Sequence, residues 1–395
     1  MKIIVITSPE LVAEEREKIT AALEMGIWRL HIRKPGYSEA QLAELIESLP
    51  QKYYGAITLH DHLDLAVKYR LGGVQLNARN GVVPDGFDGL VSHSAHSLAE
   101  LAGDYSTLSP IYDSISKEGY SSRFRVDQLE GVNERVIAMG GVTPDKLLSL
   151  FEMGFGGAAL LGYLWQAEGV EEFKARVALA LKAAQRCEHF ALQYITHRTE
   201  ERGDLEGAEA ALKGGCRWVQ LRMKDASDSE IIAAGRALRE LCDRYSATML
   251  LDDRVDLVRE LGADGVHLGK NDMPPDEARG ILGAAYIIGG TANTIEDMDR
   301  LFAQGVDYIG MGPFRYTTTK QGLSPIIGLE GYISAKAHAA KMGYATPIVA
   351  IGGIEVADVK EIISTGVRGI ALSGTILRSQ DPILTTASVI KEIKR

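Results

Sequence analysis

The sequence predicts an α/β protein of two tandem, compact (β/α)8 barrels, and three observations carry that prediction. The first is internal repetition. Ile137-Ala138-Met139-Gly140-Gly141-Val142 recurs as Val349-Ala350-Ile351-Gly352-Gly353-Ile354 at an offset of 212 residues. Asp61-His62-Leu63-Asp64-Leu65 recurs as Asp253-Arg254-Val255-Asp256-Leu257 at 192, and Ser109-Pro110 and Lys117 recur as Gly312-Pro313 and Lys320 at 203. Offsets that grow along the chain point to a duplication whose second copy has slightly longer loops. The second observation is that each copy contains short apolar runs without polar alternation, as in strands buried on both faces. The third is that stretches of helical period separate those runs, which makes the sheet parallel.

Taken in order, the second copy gives strands near 191–197, 216–222, 247–253, 265–269, 285–291, 306–313, 346–353 and 369–375. The first gives equivalents near 1–7, 28–33, 55–61, 73–76, 90–95, 105–110, 135–141 and 157–162. Helical patterns fall between them, for example Asp204–Lys213, Ser229–Tyr245 and Val356–Thr365. Eight such units close a barrel of the TIM type, compact beside the usual ~250 residues. The expected domains are 1–188 and 189–395. The stretch Val177–Cys187 reads as a helix running into the strand at Ala191 without a Gly, Pro or Ser spacer, so two barrels held close and fairly rigidly are expected.

Composition narrows the function classes. The chain has 395 residues, a formal charge of −10 and 46% hydrophobic residues, which excludes a disordered or collagen-like chain. Charge divides as −6 in residues 1–188 and −4 in the remainder, and there is no Lys/Arg run to grip nucleic acid. Cys187, Cys216 and Cys242 are too few and too scattered for a disulfide framework or a Cys-type zinc site, so a reducing, cytoplasmic setting is expected. No apolar run approaches a signal core or a membrane span. The expected partners are therefore small molecules, not nucleic acid or membrane, with assembly into a homo-oligomer left open.

In such barrels chemistry sits at the C-terminal ends of the strands. In the second copy, Gln220, Arg222 and Lys224 alternate onto one side after strand 2. Strand 3 ends at Asp252-Asp253, and Asp272 follows strand 4. Two carboxylates on adjacent strand ends suit Mg2+, which is typically held by one or two carboxylates plus substrate phosphates. The competing reading makes Asp272 a cap for the helix starting at Pro274-Pro275. After strand 6 comes Thr317-Thr318-Thr319-Lys320, and strands 7 and 8 end in Gly352-Gly353 and Ser373-Gly374, where backbone N–H groups can approach an anion. No Ser/His/Asp or Cys/His nucleophile set is present. These cations, hydroxyls and glycine turns suit departure of a diphosphate, because they stabilise charge developing on a leaving group.

These residues carry a resemblance. Gln220-Leu221-Arg222-Met223-Lys224, Asp253-Arg254-Val255-Asp256-Leu257, Ala263-Asp264-Gly265-Val266-His267-Leu268-Gly269, Asp272-Met273-Pro274, Gly312-Pro313, Thr317-Thr318-Thr319-Lys320 and Ala350-Ile351-Gly352-Gly353-Ile354 follow in the order found in thiamine-phosphate synthases. The second copy resembles that family along essentially its whole length. The resemblance implies joining of hydroxymethylpyrimidine diphosphate to thiazole phosphate with Mg2+, by departure of diphosphate and capture of a pyrimidine cation. It implies Asp253 and Asp272 as metal ligands, and Arg222, Lys224, Thr291 and Lys320 on the diphosphate. Gln220 and His267 would meet the pyrimidine side, and Thr317, Thr319, Gly353, Ser373 and Gly374 the thiazole phosphate, while Asp252 falls in the substrate site beside the diphosphate, where it would repel unless it faces Mg2+ or an arginine. Two positions depart from the family pattern: Asp252 stands where Asn is common, and Thr291 where Ser is usual.

The first copy keeps Arg33, Asp61, Ser94, Lys117 and Gly141, but His31 stands for Gln220, Pro35 for Lys224, Gln75 for His267, Asn80 for Asp272 and Leu161 for Ser373. It resembles the thiazole tautomerase relatives of the synthases, whose catalytic histidine falls at Pro110. A degenerate barrel is expected, retaining a phosphate site at Arg33, Lys117 and Gly141. His31, His60, His62, His93 and His96 are read as barrel-mouth residues in preference to a metal site. Two other classes remain: a non-catalytic phosphate-ligand sensor, and an isomerase or aldolase of a small phosphate. An aldolase would need a desolvated lysine within a strand, and Lys224, Lys270 and Lys320 all lie beyond strand ends.

Overall fold

The computed structural model describes residues 1–113, 124, 129, 131–316 and 325–394. It divides into two compact units, Met1–Cys187 and Glu188–Arg395. In the first, β1 (Lys2–Ile6), β2 (Arg29–Ile32), β3 (Ile57–Leu59), β4 (Gly73–Leu76), β5 (Leu90–Ala95), β6 (Tyr105–Leu108), β7 (Val136–Met139) and β8 (Gly157–Leu160) pair in sequence order, all parallel, and β8 closes on β1. In the second, β9 (Leu192–Ile195), β10 (Trp218–Leu221), β11 (Thr248–Asp252), β12 (Gly265–Leu268), β13 (Ile287–Ala292), β14 (Tyr308–Met311), β15 (Ile348–Ile351) and β16 (Gly369–Leu372) do the same. Both barrels are thus as the repeat predicts.

The observed strands are shorter than the apolar runs at several C-terminal ends. The residues beyond Leu221, Asp252, Leu268 and Ile351 leave the ladder and form the rim. Helices match the sequence pattern at Asp204–Lys213 and Asp228–Arg244. Val356–Ser364 begins with a 3-10 turn before its α-helical part. The 18-residue helix Gly169–Arg186 and a 3-10 turn at His189–Ala191 precede β9.

Most strands are buried, because an apolar face packs outward on helices while alternate side chains fill the barrel; β5 is only partly so. In the second barrel the interior is aromatic: the Trp218 ring lies 4.3 Å from Phe190 and 4.8 Å from Tyr308. The first has Arg29 at the position of Trp218, its Nε donating to Thr58 Oγ1 at 2.9 Å and its terminal nitrogen to the Gly55 carbonyl. At the start of β12 there is no room for a side chain. A Cβ at Gly265 would lie 1.9 Å from the Ile287 carbonyl oxygen.

The N-terminal rim is tied by carboxylates that precede strands. Asp264 accepts from the Met249 N–H at 2.8 Å and from Arg239 at 3.1 Å. Asp307 accepts from the Ile288 N–H and pairs with Arg279 at 2.6 Å, and Asp104 accepts from the Val91 N–H. Among the described residues no helix is long and apolar enough to cross a membrane. Because Asp264 is 3% exposed, Asp264→Ala would leave the Met249 N–H unpaired and take from Arg239 its buried partner, leaving it Asp243 and the Ala247 carbonyl. It should cost about 2 kcal/mol, read as a lower denaturant midpoint of the second barrel.

Candidate active site

The rim of the second barrel is assembled from strand ends. At β10, the Arg222 N–H donates to Thr196 Oγ1 at 2.9 Å, and the Thr196 hydroxyl lies 3.4 Å from the Arg222 carbonyl. This two-way contact fixes where the chain leaves the sheet. The same device recurs in the first barrel between Arg33 and Thr7, a repeat that the sequence contains but that motif reading missed. Gln220 is buried and points inward, donating through Nε2 to Asp252 Oδ1 at 2.5 Å. Arg222 Nε lies 3.5 Å from Asp252 Oδ2, and Lys224 Nζ lies 3.2 Å from Asp253 Oδ2. The alternation of positions 220, 222 and 224 therefore does gather an amide and two cations against two carboxylates. Asp252, where Asn is usual, faces an arginine.

Asp253 sits at φ 65°, uncommon for a residue with a Cβ, and its N–H is held by the His267 carbonyl at 3.0 Å. Asp272 does not cap the helix Pro275–Leu282. The helix starts at Pro274 without a side-chain cap, and Asp272 Oδ2 accepts from the Gly269 N–H at 2.6 Å. Its carboxylate meets that of Asp253. Burial, the hydrogen bond with Asp272 and the charges of Asp252 and Asp272 push the Asp253 carboxyl up to about 7, against the pull of Lys224. Burial also raises Asp272, but the hydrogen bond from Asp253, the Gly269 N–H and Lys224 outweigh it and hold it low. Burial raises Asp252 against Arg222, Lys224 and Gln220.

This crowding is a fit test for a cation. Two carboxylates brought into contact in a half-buried rim repel unless a proton or a positive ion lies between them. Among the described residues there is no cluster of three or more His, Cys, Asp or Glu side chains able to hold a metal unaided. Two carboxylates open to a phosphate-bearing ligand suit Mg2+, which keeps several of its positions for water and phosphate oxygens.

On the neighbouring strand β12, in register with Asp252, His267 Nδ1 lies 2.8 Å from the Tyr308 hydroxyl and Nε2 lies 2.9 Å from Thr291 Oγ1. Both ring nitrogens are thus engaged, and His267 would meet a ligand with its ring and not with a nitrogen. Gln193 Nε2 reaches the Tyr308 hydroxyl at 3.2 Å. Gln193 escaped the sequence reading, and Tyr308, which lies in the family-like run Asp307-Tyr308-Ile309-Gly310, was given no site role, although Tyr105 and Tyr308 occupy the same place in β6 and β14 and could have marked it.

At the remaining strand ends, Gly353 has φ +69°, and a Cβ there would lie 2.5 Å from Arg315 Cγ, so its backbone can be approached closely. Ser373 Oγ is buried and has no hydrogen-bond partner, and Gly374 follows it. Thr317, Thr319 and Lys320, and Lys117 in the first copy, lie outside the described residues.

The first barrel keeps the rim but changes its chemistry. Asp61 pairs with Arg79 at 3.0 Å and Asn80 donates to the His60 carbonyl, so the paired carboxylates are replaced by a paired ion. A cavity of about 520 Å3 opens there, lined among others by Arg33, His60, Arg79, Ser94, His96 and Gly141. His31 Nδ1 lies 2.9 Å from His60 Nε2, and His31 Nε2 lies 2.7 Å from the Tyr105 hydroxyl. His62 meets the Tyr37 carbonyl and His96 the Ser109 carbonyl. His31 and His60 bond to each other, whereas His62 and His96 each meet a separate backbone carbonyl, so these four do not share one point.

Burial, His60 and Arg29 push His31 well below its ordinary value, and burial with Arg33 and Arg79 takes His60 down to about 3. Both are neutral when folded and bind protons when unfolded, so they add stability above pH 6.5 that is lost as pH falls below it, for His60 down to about 3. Each should cost about 1.4 kcal/mol per pH unit in that window. Thermal melts between pH 7 and 5 should show this loss, and His31→Gln with His60→Gln should flatten it.

Comparison with known proteins follows the same division. The family model described as thiamine monophosphate synthase matches residues 3–164 and again 192–376. A thiamine-phosphate synthase of Bacteroides fragilis is 54% identical over 199 residues, covering 50% of this chain and 98% of the relative. One from Flavobacterium psychrophilum is 43% identical over 202 residues, covering 51% of this chain and 98% of the relative. Among solved structures, thiamine phosphate pyrophosphorylase from Pyrococcus furiosus is 33% identical with a TM-score of 0.47, over 52% of this chain and 96% of that one.

Proposed function

The chain belongs to the thiamine monophosphate synthase family, and from that premise we propose that its second barrel performs the condensation with Mg2+. Hydroxymethylpyrimidine diphosphate loses diphosphate, and the thiazole phosphate nitrogen captures the resulting pyrimidine cation, giving thiamine phosphate and pyrophosphate. The observation that carries this assignment is the contact of Asp253 with Asp272 beside Lys224 and Arg222, a charge arrangement that the first barrel lacks.

Arg222 and Lys224 bind the diphosphate and balance its charge as it leaves. Thr291 donates its hydroxyl to the same group, with Lys320 beside them in the family pattern. Gln220, fixed by Asp252, and His267 shape the pyrimidine side. Thr317, Thr319, the Gly353 backbone and Ser373-Gly374 take the thiazole phosphate, where the unpartnered Ser373 hydroxyl is a ready donor. Bound at Asp253 and Asp272, Mg2+ supplies positive charge to the leaving group. No protein nucleophile is needed, since the residues need only orient the acceptor and hold the diphosphate.

For the first barrel the reading is ligand binding without synthesis. Its cavity carries Arg33, Arg79, Ser94 and Gly141 and, among the described residues, no pair of carboxylates in contact, which suits a small phosphate taken directly by arginine. Lys117 belongs to that site in the repeat. A reducing, cytoplasmic location is part of the same reading, supported by three buried free cysteines.

Incubating the full chain with both precursors should yield thiamine phosphate, with activity lost in EDTA and restored by Mg2+. Asp272→Ala should lower it at least ~100-fold, and near-normal turnover would remove the metal assignment. Arg222→Gln should also abolish nearly all synthesis, whereas retention of about half would give the first barrel an equal share.

A further inference from the structure

A buried chain of hydrogen bonds leads from the floor of the second barrel to its mouth, and its proton directions are set by chemistry. Gln193 is 2% exposed, and its Nε2, which can only donate, points at the Tyr308 oxygen at 3.2 Å. Tyr308 is fully buried, close to Phe190 and Trp218. Gly289 makes room for the Tyr308 ring, since a Cβ there would lie 2.2 Å from it. Its hydroxyl proton needs an acceptor, and among the described residues the one within reach is His267 Nδ1 at 2.8 Å. With Nδ1 accepting, the neutral imidazole carries its hydrogen on Nε2, which donates to Thr291 Oγ1 at 2.9 Å. Thr291 is then left with its own proton to give, directed at the mouth.

The first barrel reaches the same end with different residues. Ser92 Oγ donates to Gln75 Oε1 at 2.6 Å, which orients the amide so that its Nε2 donates to Ser94 Oγ at 3.0 Å. Gln75 occupies the register of His267 and Ser94 that of Thr291, and Ser94 lines the mouth cavity. An amide held by its oxygen has the same polarity as an imidazole held at Nδ1. Two unlike side chains therefore make the strand-5 hydroxyl accept from behind and donate forward.

We propose that Tyr308 and Gln193 are positioning residues that act through His267 to keep the Thr291 hydroxyl a fixed donor to the departing diphosphate. This rests on the assignment of synthesis to the second barrel. A hydroxyl committed as a donor before the reaction needs no reorientation as negative charge develops, which is where a fixed dipole contributes most. Without the chain, Thr291 could turn its lone pairs to the anion and its proton to the histidine.

The test is steady-state kinetics of the full chain with Mg2+ and both precursors, each variant first checked for folding by circular dichroism. Thr291→Val should lower kcat about 100-fold. Tyr308→Phe should lower kcat about tenfold with KM for the pyrimidine diphosphate within about twofold. In the Thr291→Val background the Tyr308→Phe change should add less than about twofold, because the hydroxyl it orients is gone. His267→Gln, which keeps the polarity seen at Gln75, should stay within about tenfold of the parent, while His267→Leu falls about 100-fold. The relay is overturned if Tyr308→Phe costs the same factor in both backgrounds, or if His267→Gln is no better than His267→Leu. Should Tyr308→Phe fail to fold, the two His267 variants decide alone. If Thr291→Val leaves kcat unchanged, the second-barrel assignment itself fails, and the relay with it.

Discussion

Closure of an all-parallel sheet is the constraint on which everything else in each barrel depends. Once every strand runs the same way and the last pairs with the first, all C-terminal ends meet on one rim and all N-terminal ends on the other. Residues far apart in sequence, such as Gln220, Asp252 and Asp272, are brought to one wall by that geometry alone. The opposite rim can then be given to stability. Asp264 and Asp307, bonded to strand N–H groups and to arginines, hold the ends that do no chemistry.

The same scaffold shows how little need change for a rim to change its charge logic. In the second barrel, Asp253 and Asp272 share a contact that only a proton or a cation relieves. In the first, the Arg79 guanidinium supplies that positive charge from within the chain by pairing with Asp61, and Asn80 donates to the His60 carbonyl. The polar walls have also exchanged partners. Gln220 on β10 and His267 on β12 correspond to His31 on β2 and Gln75 on β4, while the tyrosine of β6 and β14 is kept. Each tyrosine bonds the histidine wherever it lies, as Tyr105 does His31 and Tyr308 does His267. A buried hydroxyl needs a partner, so the aromatic position imposes a polar one across the barrel.

Much of the site was legible because strand-end residues follow strands at fixed distances. Alternation placed Gln220, Arg222 and Lys224 together, and the repeat aligned Asp61 with Asp253 and Gly141 with Gly353. For Asp272 the local pattern left two readings open, a helix cap and a partner of Asp253. Asp two residues before a double proline satisfies the local rule for a helix cap, and only the fold shows that it accepts from Gly269 and faces Asp253. Lys34 is a second case. As a lysine just past a strand end it reads as a surface charge, yet it is fully buried, with both Glu15 oxygens within 2.8 Å, where the second copy has Met223. Local pattern does not register a partner 19 residues away.

By itself, the sequence determined the duplication, the alternation of buried strands with helices, and the set of residue types at each strand end. These are properties of order and spacing, which translate directly into a parallel barrel and its rim. Tertiary structure decided which of those side chains meet: Asp252 with Arg222, Asp253 with Asp272, His267 with Tyr308 and Thr291. It also decided that Asp61 on the first rim meets Arg79 instead of another carboxylate. The physical reason is that hydrogen-bond direction and charge pairing depend on distances of about 3 Å across the barrel, and no periodicity along the chain encodes them.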